Sequence, residues 1–284
     1  MEFRFVQDLE IVSELTGLSA EAFAEELGVS RMTLNNWLSG KKSATEKNIA
    51  SFYEYTFRKG IRLNLIKEQL YREDVAESSK VLLFHGAKTK IEGALRTDCS
   101  KRRNDFGAGF YCGESLEQSA MFVATYPASS LYMLTFDSTG LKGKEFGVSR
   151  DWMLLIAYFR ERLGGYADSG VIRELVRTVE GVDYIVAPIA DNRMFEIIDQ
   201  FIDGEITDEQ CKHCLSATNL GKQYVFVTDK ALRQVELLER CYLTGAEKEF
   251  YLFSRQASYE MNRDKVKVAR RQYRDVGKYI EEMM

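Results

Sequence analysis

Apolar positions recur at helical spacing through residues 1–80 and predict an all-helical region. Ser19 precedes AEAFAEELG, in which Phe23, Ala24 and Leu27 share one face. Gly28 stops that helix and Val29 fills the turn. Ser30 then caps a second short helix, RMTLNNWLSG, which Gly40 closes, with Leu34 and Trp37 on its core side. The pattern changes at residue 81. VLLFHG reads as an apolar strand that stops in a turn. LYMLTF reads as a second strand, with Leu131, Met133 and Thr135 alternating against Tyr132, Leu134 and Phe136. YIVAPIA and QYVFVT read as a third and a fourth. Helical patterns separate them: LEQSAMFVATY, RDWMLLIAYFRERLG, RMFEIIDQFIDG and ITDEQCKHCLSATN. Short strands mixed irregularly with helices favour an α+β fold over a βαβ repeat. Residues 241–284 carry no strand pattern and predict two amphipathic helices, Leu243–Met261 and Arg263–Met284. The expected division is residues 1–79, 80–240 and 241–284.

Composition narrows the chemistry. The chain has 284 residues, 45% of them hydrophobic and 29% charged, with a net charge of -4. That is ordinary globular composition and excludes a strongly basic nucleic-acid protein at the level of the whole chain. Residues 1–80 hold 11 basic and 13 acidic side chains, a net of -2, and only 31–47 is locally basic. In the last segment ARRQYR is the densest basic patch, and a solvated helix face accounts for it. MEFRFVQDLE lacks the layout of a secretory signal, and no apolar run approaches the ~20 residues of a membrane span, so a cytoplasmic protein without a membrane partner is expected. Five scattered cysteines, Cys99, Cys112, Cys211, Cys214 and Cys241, suit reduced thiols. The one CxxC, at Cys211 and Cys214, lies in a segment with helical spacing and a start signal at Thr207, so no metal site is expected. His85 and His213 are the only histidines, which removes schemes needing several imidazoles.

FAEELGVSRMTLNNWLSGKK resembles the helix-turn-helix of the phage-repressor-like family of bacterial regulators. The resemblance implies that the second helix enters the DNA major groove. Arg31, Thr33 and Asn35 would face bases or phosphates, with Lys41 and Lys42 nearby. The acidic balance leaves a second reading open: a helical module for protein contacts, or for holding the next domain.

Three segments lie at strand ends or in glycine loops: Phe84-His85-Gly86, Asn104 to Tyr111 (NDFGAGFY), and Gly221 to Phe226 (GKQYVF). A histidine at a strand end can donate to a ribose hydroxyl. A glycine after it lets the backbone meet a planar amide. A GAG turn allows close approach of the backbone to a ligand and presents Tyr111 as an aromatic surface. Together they suit a flat, amide-bearing ring on a sugar.

These segments resemble the ADP-ribosyltransferase fold, in its branch with a His-Tyr-Glu signature. FHG matches the first motif. FGAGFY is similar to the glycine loop of poly(ADP-ribose) polymerases, and QYVFVT to their last strand. LFHGAK, NDFGAGFY, YIVAPIADNRMFE and GKQYVFVTDKAL together resemble an uncharacterised bacterial domain family assigned to this fold, often found beside toxin–antitoxin or phage-defence genes. The resemblance spans about residues 80–240 and implies a split β-sheet core and NAD as substrate. His85 would hold the nicotinamide-side ribose, Gly86 the carboxamide, and Tyr111 would stack on the ring. Arg102 and Arg103 would contact the pyrophosphate, and the loop residues Asp105, Phe106, Gly107 and Gly109 would line the site. The pattern breaks at Gln223, where the family has its catalytic glutamate. Glutamine keeps a hydrogen bond and loses the charge. Asp105, Glu114 and Asp191 are the carboxylates that could replace it, and Asp191, directly after a strand, is favoured.

The expected function is therefore an ADP-ribosyltransferase-like enzyme, a toxin or defence effector, that transfers ADP-ribose to a macromolecular acceptor. An antitoxin is a further partner in that reading. The alternatives are a DNA-binding regulator whose large domain senses a nucleotide without reacting, and a protein-interaction module that uses the C-terminal helices.

Overall fold

The computed structural model describes residues 3–98, 100–218 and 220–284; Cys99 lies outside these, as does the side chain of Asn192. Among the described residues there are twelve α-helices and one seven-stranded mixed sheet, an α+β architecture.

The N-terminal quarter is helical: α1 (Phe5–Thr16), α2 (Ala20–Glu26), α3 (Arg31–Leu38), α4 (Glu46–Arg58) and α5 (Leu63–Val75). Ser19 and Ser30 cap α2 and α3 through their hydroxyls, which accept from Ala22 N–H and Thr33 N–H. Two bonds close α2, Gly28 N–H to Glu25 O and Val29 N–H to Ala24 O, and they set the tight turn into α3. Leu9, Val12, Phe23, Leu34, Trp37 and Phe52 form the core of this unit.

The sheet order is β4-β5-β6-β2-β1-β3-β7. Its strands are β1 (Lys80–Ala87), β2 (Phe110–Gly113), β3 (Ser130–Asp137), β4 (Gly143–Glu145), β5 (Tyr184–Pro188), β6 (Lys222–Phe226) and β7 (Val235–Cys241). Only β4 and β5 run parallel; the other pairings are antiparallel. All four expected strands form, and β2, β4 and β7 join them. β2 exists because the glycine loop feeds Phe110 to Gly113 against β6 at four positions. β7 would be an open edge, and the helical arm covers it. Lys67 Nζ lies 2.8 Å from Asp8 Oδ1 and 2.8 Å from Glu239 Oε1, all buried, and Tyr53 donates to Asp8 at 2.5 Å. Tyr53 stacks on Tyr242 at 4.4 Å.

One face of the sheet carries α6 (Leu116–Val123), α7 (Arg150–Phe159), α9 (Asn192–Ile202) and α10 (Asp208–Ser216). Trp152, Ile156, Ile198 and Phe201 fill the space beneath α7 and α9. On the opposite face Leu83, Phe110, Leu134, Phe136 and Phe226 meet α11 (Asp229–Leu232) and the segment holding Ile91 and Leu95. A further helix, α8 (Gly170–Arg177), follows α7.

The C-terminal segment departs from expectation. A single 28-residue helix, α12 (Gly245–Gln272), replaces two shorter ones. Nothing at Asn262 breaks the backbone ladder, since the sequence there has neither glycine nor proline. It packs on α10 and α6, burying Tyr251 and Ala269. Cys211 and Cys214 lie inside α10, which Thr207 caps as expected. Their thiols are buried against the carbonyls of Ile197 and Val266. Among the described residues no helix is long and apolar enough to cross a membrane.

Candidate functional site

His85 and Gly86 lie in the last three residues of β1, and there the sheet has its weakest seam. β1 pairs with β3 at eight positions but with β2 at one, Phe84 opposite Gly113. Past that pair the strands are joined by a side chain. His85 Nδ1 lies 2.6 Å from the carbonyl oxygen of Tyr111. A carbonyl can only accept, so Nδ1 carries the hydrogen. Burial pushes the His85 pKa below its usual value, against the opposing pull of that bond, and the ring is neutral at pH 7. Nε2 is then unprotonated and accepts, which corrects the expectation that His85 donates to a sugar hydroxyl. The ring stacks on Phe110 at 4.3 Å. Gly86 has no room for a side chain, because Val123 Cγ1 and Ser119 O of α6 lie within 2.8 Å of where a Cβ would stand.

The glycine loop is clasped from inside. Tyr111 OH donates to Gly107 O at 2.8 Å and accepts from Phe106 N–H at 3.1 Å. Gly107 adopts φ +75°, a left-handed conformation that glycine takes at least cost. Gly109 N–H reaches Ser100 Oγ at 3.0 Å, and Phe106 is buried under α7 beside Phe159. The Tyr111 ring expected to stack on a ligand is half-buried, with its hydroxyl committed to the loop.

Register decides which side chains meet. Phe84, Gly113, Gln223 and Ala187 stand in one row across four strands. Side chains alternate along a strand, so Gln223 and Tyr111 face the helical layer, and His85 faces the other way. The structure therefore brings Gln223, Asp105 and the Tyr111 clasp together and places the imidazole on the opposite face.

Gln223 is buried and donates twice, to Asp105 Oδ2 at 2.7 Å and to Pro188 O at 3.0 Å. Asp105 is also buried. Its Oδ1 receives Arg160 Nε at 2.9 Å and Nη2 at 2.5 Å, and Ala190 N–H approaches its Oδ2 at 3.4 Å. Arg160 also donates to Ala190 O at 2.6 Å and lies over the Phe195 ring. Asp105 is thus the carboxylate beside Gln223.

Asp191, favoured from sequence, is not. It is exposed and caps α9, accepting from Arg193 N–H at 3.0 Å and Met194 N–H at 2.9 Å. The free N–H groups of a helix N-terminus claim it. Glu114 accepts from Tyr224 at 3.3 Å instead. Arg102 and Arg103 are exposed, and Arg103 pairs with Glu161. Arg160 was missed by sequence reading. A basic residue at the end of an apolar helix carries no signal of a partner 55 positions away.

In the helix-turn-helix, Arg31, Asn35, Lys41 and Lys42 are exposed, as is Met32 beside them, while Leu34 and Trp37 are buried. Thr33 differs from expectation. It is half-buried, and its hydroxyl lies 2.9 Å from Ser30 Oγ within the cap.

The model of a family described as a protein of unknown function (DUF3990) matches residues 81–237, more than half of the chain. The chain belongs to the DUF3990 family. A helix-turn-helix family model matches residues 14–52, a span that includes α2 and α3. No curated protein and no solved structure matches the chain. The DUF3990 match runs from β1 to the first residues of β7, so the seam, the glycine loop and Gln223 all fall within the family's region.

Proposed function

We propose that the chain couples a DNA-binding helix-turn-helix to an ADP-ribosyltransferase-like domain. That domain would bind NAD, break the bond between nicotinamide and ribose, and pass ADP-ribose to a macromolecular acceptor. The observation that carries this reading is the β1–β2 seam. A sheet paired at several positions elsewhere narrows to one residue pair beside His85-Gly86, the glycine loop and Gln223. In such a reaction the glycosidic bond breaks and its electron pair leaves with nicotinamide. The sugar carbon becomes oxocarbenium-like, and an acceptor nucleophile bonds to it and loses a proton. The step needs orientation and charge placement more than a strong base. His85 offers an acceptor for a ribose hydroxyl, and Asp105 brings the nearby negative charge. Because His85 and Gln223 face opposite ways, one ligand reaches both only across the seam. Arg102, exposed beside the loop, is suited to a phosphate. Arg31, Asn35, Lys41 and Lys42 are the side chains offered to DNA, in line with the helix-turn-helix match.

One observation favours the second reading, a regulator that senses the nucleotide without reacting. Arg160 neutralises Asp105, and Gln223 carries no charge, so Asp105's negative charge is already paired. One experiment separates the two. The purified protein is mixed with labelled NAD, with and without nucleic acid or cell extract, and nicotinamide and transferred label are measured. The enzyme reading expects both products, and their loss in His85→Ala. No product, with His85→Ala behaving as wild type, refutes it. A DNA mobility shift that NAD alters, without nicotinamide release, supports the regulator.

A further inference from the structure

The amide of Gln223 has a fixed orientation. Both atoms facing its nitrogen, the Asp105 carboxylate and the Pro188 carbonyl, can only accept. Nε2 must therefore point at them with both hydrogens. Among the described residues nothing donates to Oε1, and Gln223 keeps 7% of its surface exposed. What holds the amide this way is the arginine behind it. The Arg160 fork fixes Asp105 Oδ1 and reaches the Ala190 carbonyl. Four segments thus lock around one side chain: the glycine loop, the end of α7, the β5–α9 turn and β6.

We propose that Asp105 and Arg160 are positioning residues that hold Gln223 with Oε1 as a free acceptor, aimed to take a ribose hydroxyl of the nucleotide. The inference rests on the NAD reading and adds to it. The carboxylate and the hydrogen-bonding group, which the ADP-ribosyltransferase resemblance places on one glutamate, are here divided between loop position 105 and strand position 223. It also explains the glutamine. An ionised glutamate at 223 would point oxygen at oxygen toward Asp105 and Pro188, with no hydrogen between them.

The test uses the full-length protein, NAD and four variants, with kcat and KM for nicotinamide release measured alongside thermal melting. Asp105→Asn lets the amide at 223 turn over, and Arg160→Lys keeps the charge but loses the fork. Each is expected to lower kcat at least tenfold with KM for NAD within about threefold. Gln223→Glu alone is expected to be as impaired. The exchange Asp105→Asn with Gln223→Glu restores one carboxylate and one amide side by side. It is expected to raise kcat at least threefold above either single variant, with the oxygen that faces the Pro188 carbonyl still lacking a hydrogen. A merely structural role would make activity follow melting temperature, with no recovery specific to the exchange. Wild-type kcat in Asp105→Asn, or an exchange that restores melting without kcat, overturns the inference alone. A wild-type protein that neither binds NAD by calorimetry nor releases nicotinamide overturns the NAD reading, and this inference with it.

Discussion

Restoring a glutamate at position 223 is the change the enzyme resemblance would call a repair, and the structure predicts damage. Gln223 Nε2 lies 2.7 Å from Asp105 Oδ2, and in Gln223→Glu a carboxylate oxygen would take its place. Two unit charges at that separation repel by about 6 kcal/mol at an effective dielectric of 20. The variant escapes most of this by keeping its new carboxyl protonated. From an ordinary carboxyl pKa of about 4.3, holding the proton at pH 7 costs roughly 4 kcal/mol. That is a large share of the ~5–15 kcal/mol that stabilises a typical domain. The sign follows from a folded-state pKa raised above the unfolded one. The penalty is absent below about pH 4 and grows as pH rises toward the folded value. At pH 5 only about 1 kcal/mol remains by the same arithmetic. Urea unfolding of wild type and Gln223→Glu at pH 7 and pH 5, followed by tryptophan fluorescence, measures it; Trp152 is buried in this part of the protein. A variant as stable as wild type at pH 7, or equally weakened at both pH values, would refute the reasoning.

Three other outcomes are expected. Burial pushes the Glu247 carboxyl, which accepts from Asn64 at 3.1 Å, up to about 7. Its ionisation should therefore erode stability between pH ~4.5 and 7, by on the order of 3 kcal/mol; Glu247→Gln should melt higher than wild type at pH 7.5 and equally at pH 4.5. Glu161 closes α7 at φ +58°, with bonds from its own N–H to Tyr158 O and from Arg162 N–H to Ala157 O. Glycine favours that position, so Glu161→Gly should gain about 1 kcal/mol; measuring it in an Arg103→Ala background removes the exposed ion pair, and a loss of stability there would show the backbone is unstrained. Replacing Arg31, Lys41 and Lys42 together by alanine should weaken duplex DNA binding and flatten the plot of log affinity against log salt by about 0.9 for each phosphate no longer neutralised. Fluorescence anisotropy at several salt concentrations reads the slope, and an unchanged slope would remove these residues from the interface.

Local physics was legible in the chain wherever one segment decides its own shape. The caps at Ser19, Ser30 and Thr207, the turn at Gly28 and the four apolar strands all follow from residues within a few positions of each other. Asp191 belongs with them. An aspartate directly before a helical stretch is a cap signal, and that local claim outweighed its nearness to a strand end.

Pairing was not legible in that way. β2 is four residues long and is a strand because β6 lies beside it. β7 alternates only weakly and is stabilised by the arm that covers its edge. The row running through Phe84, Gly113 and Gln223 is fixed by register between strands that lie far apart in the chain, Gly113 and Gln223 by more than a hundred residues. One residue of slip between β1 and β2 would put His85 and Gln223 on the same face. Asp105, Arg160 and Gln223 come from a loop, a helix end and a strand, and no spacing in the chain joins them. The sequence by itself determined the helix-turn-helix and the mixed architecture. Only the tertiary structure decided which carboxylate stands beside Gln223, which tautomer His85 holds and which face each presents, because hydrogen bonds between distant segments exist only once the sheet has paired.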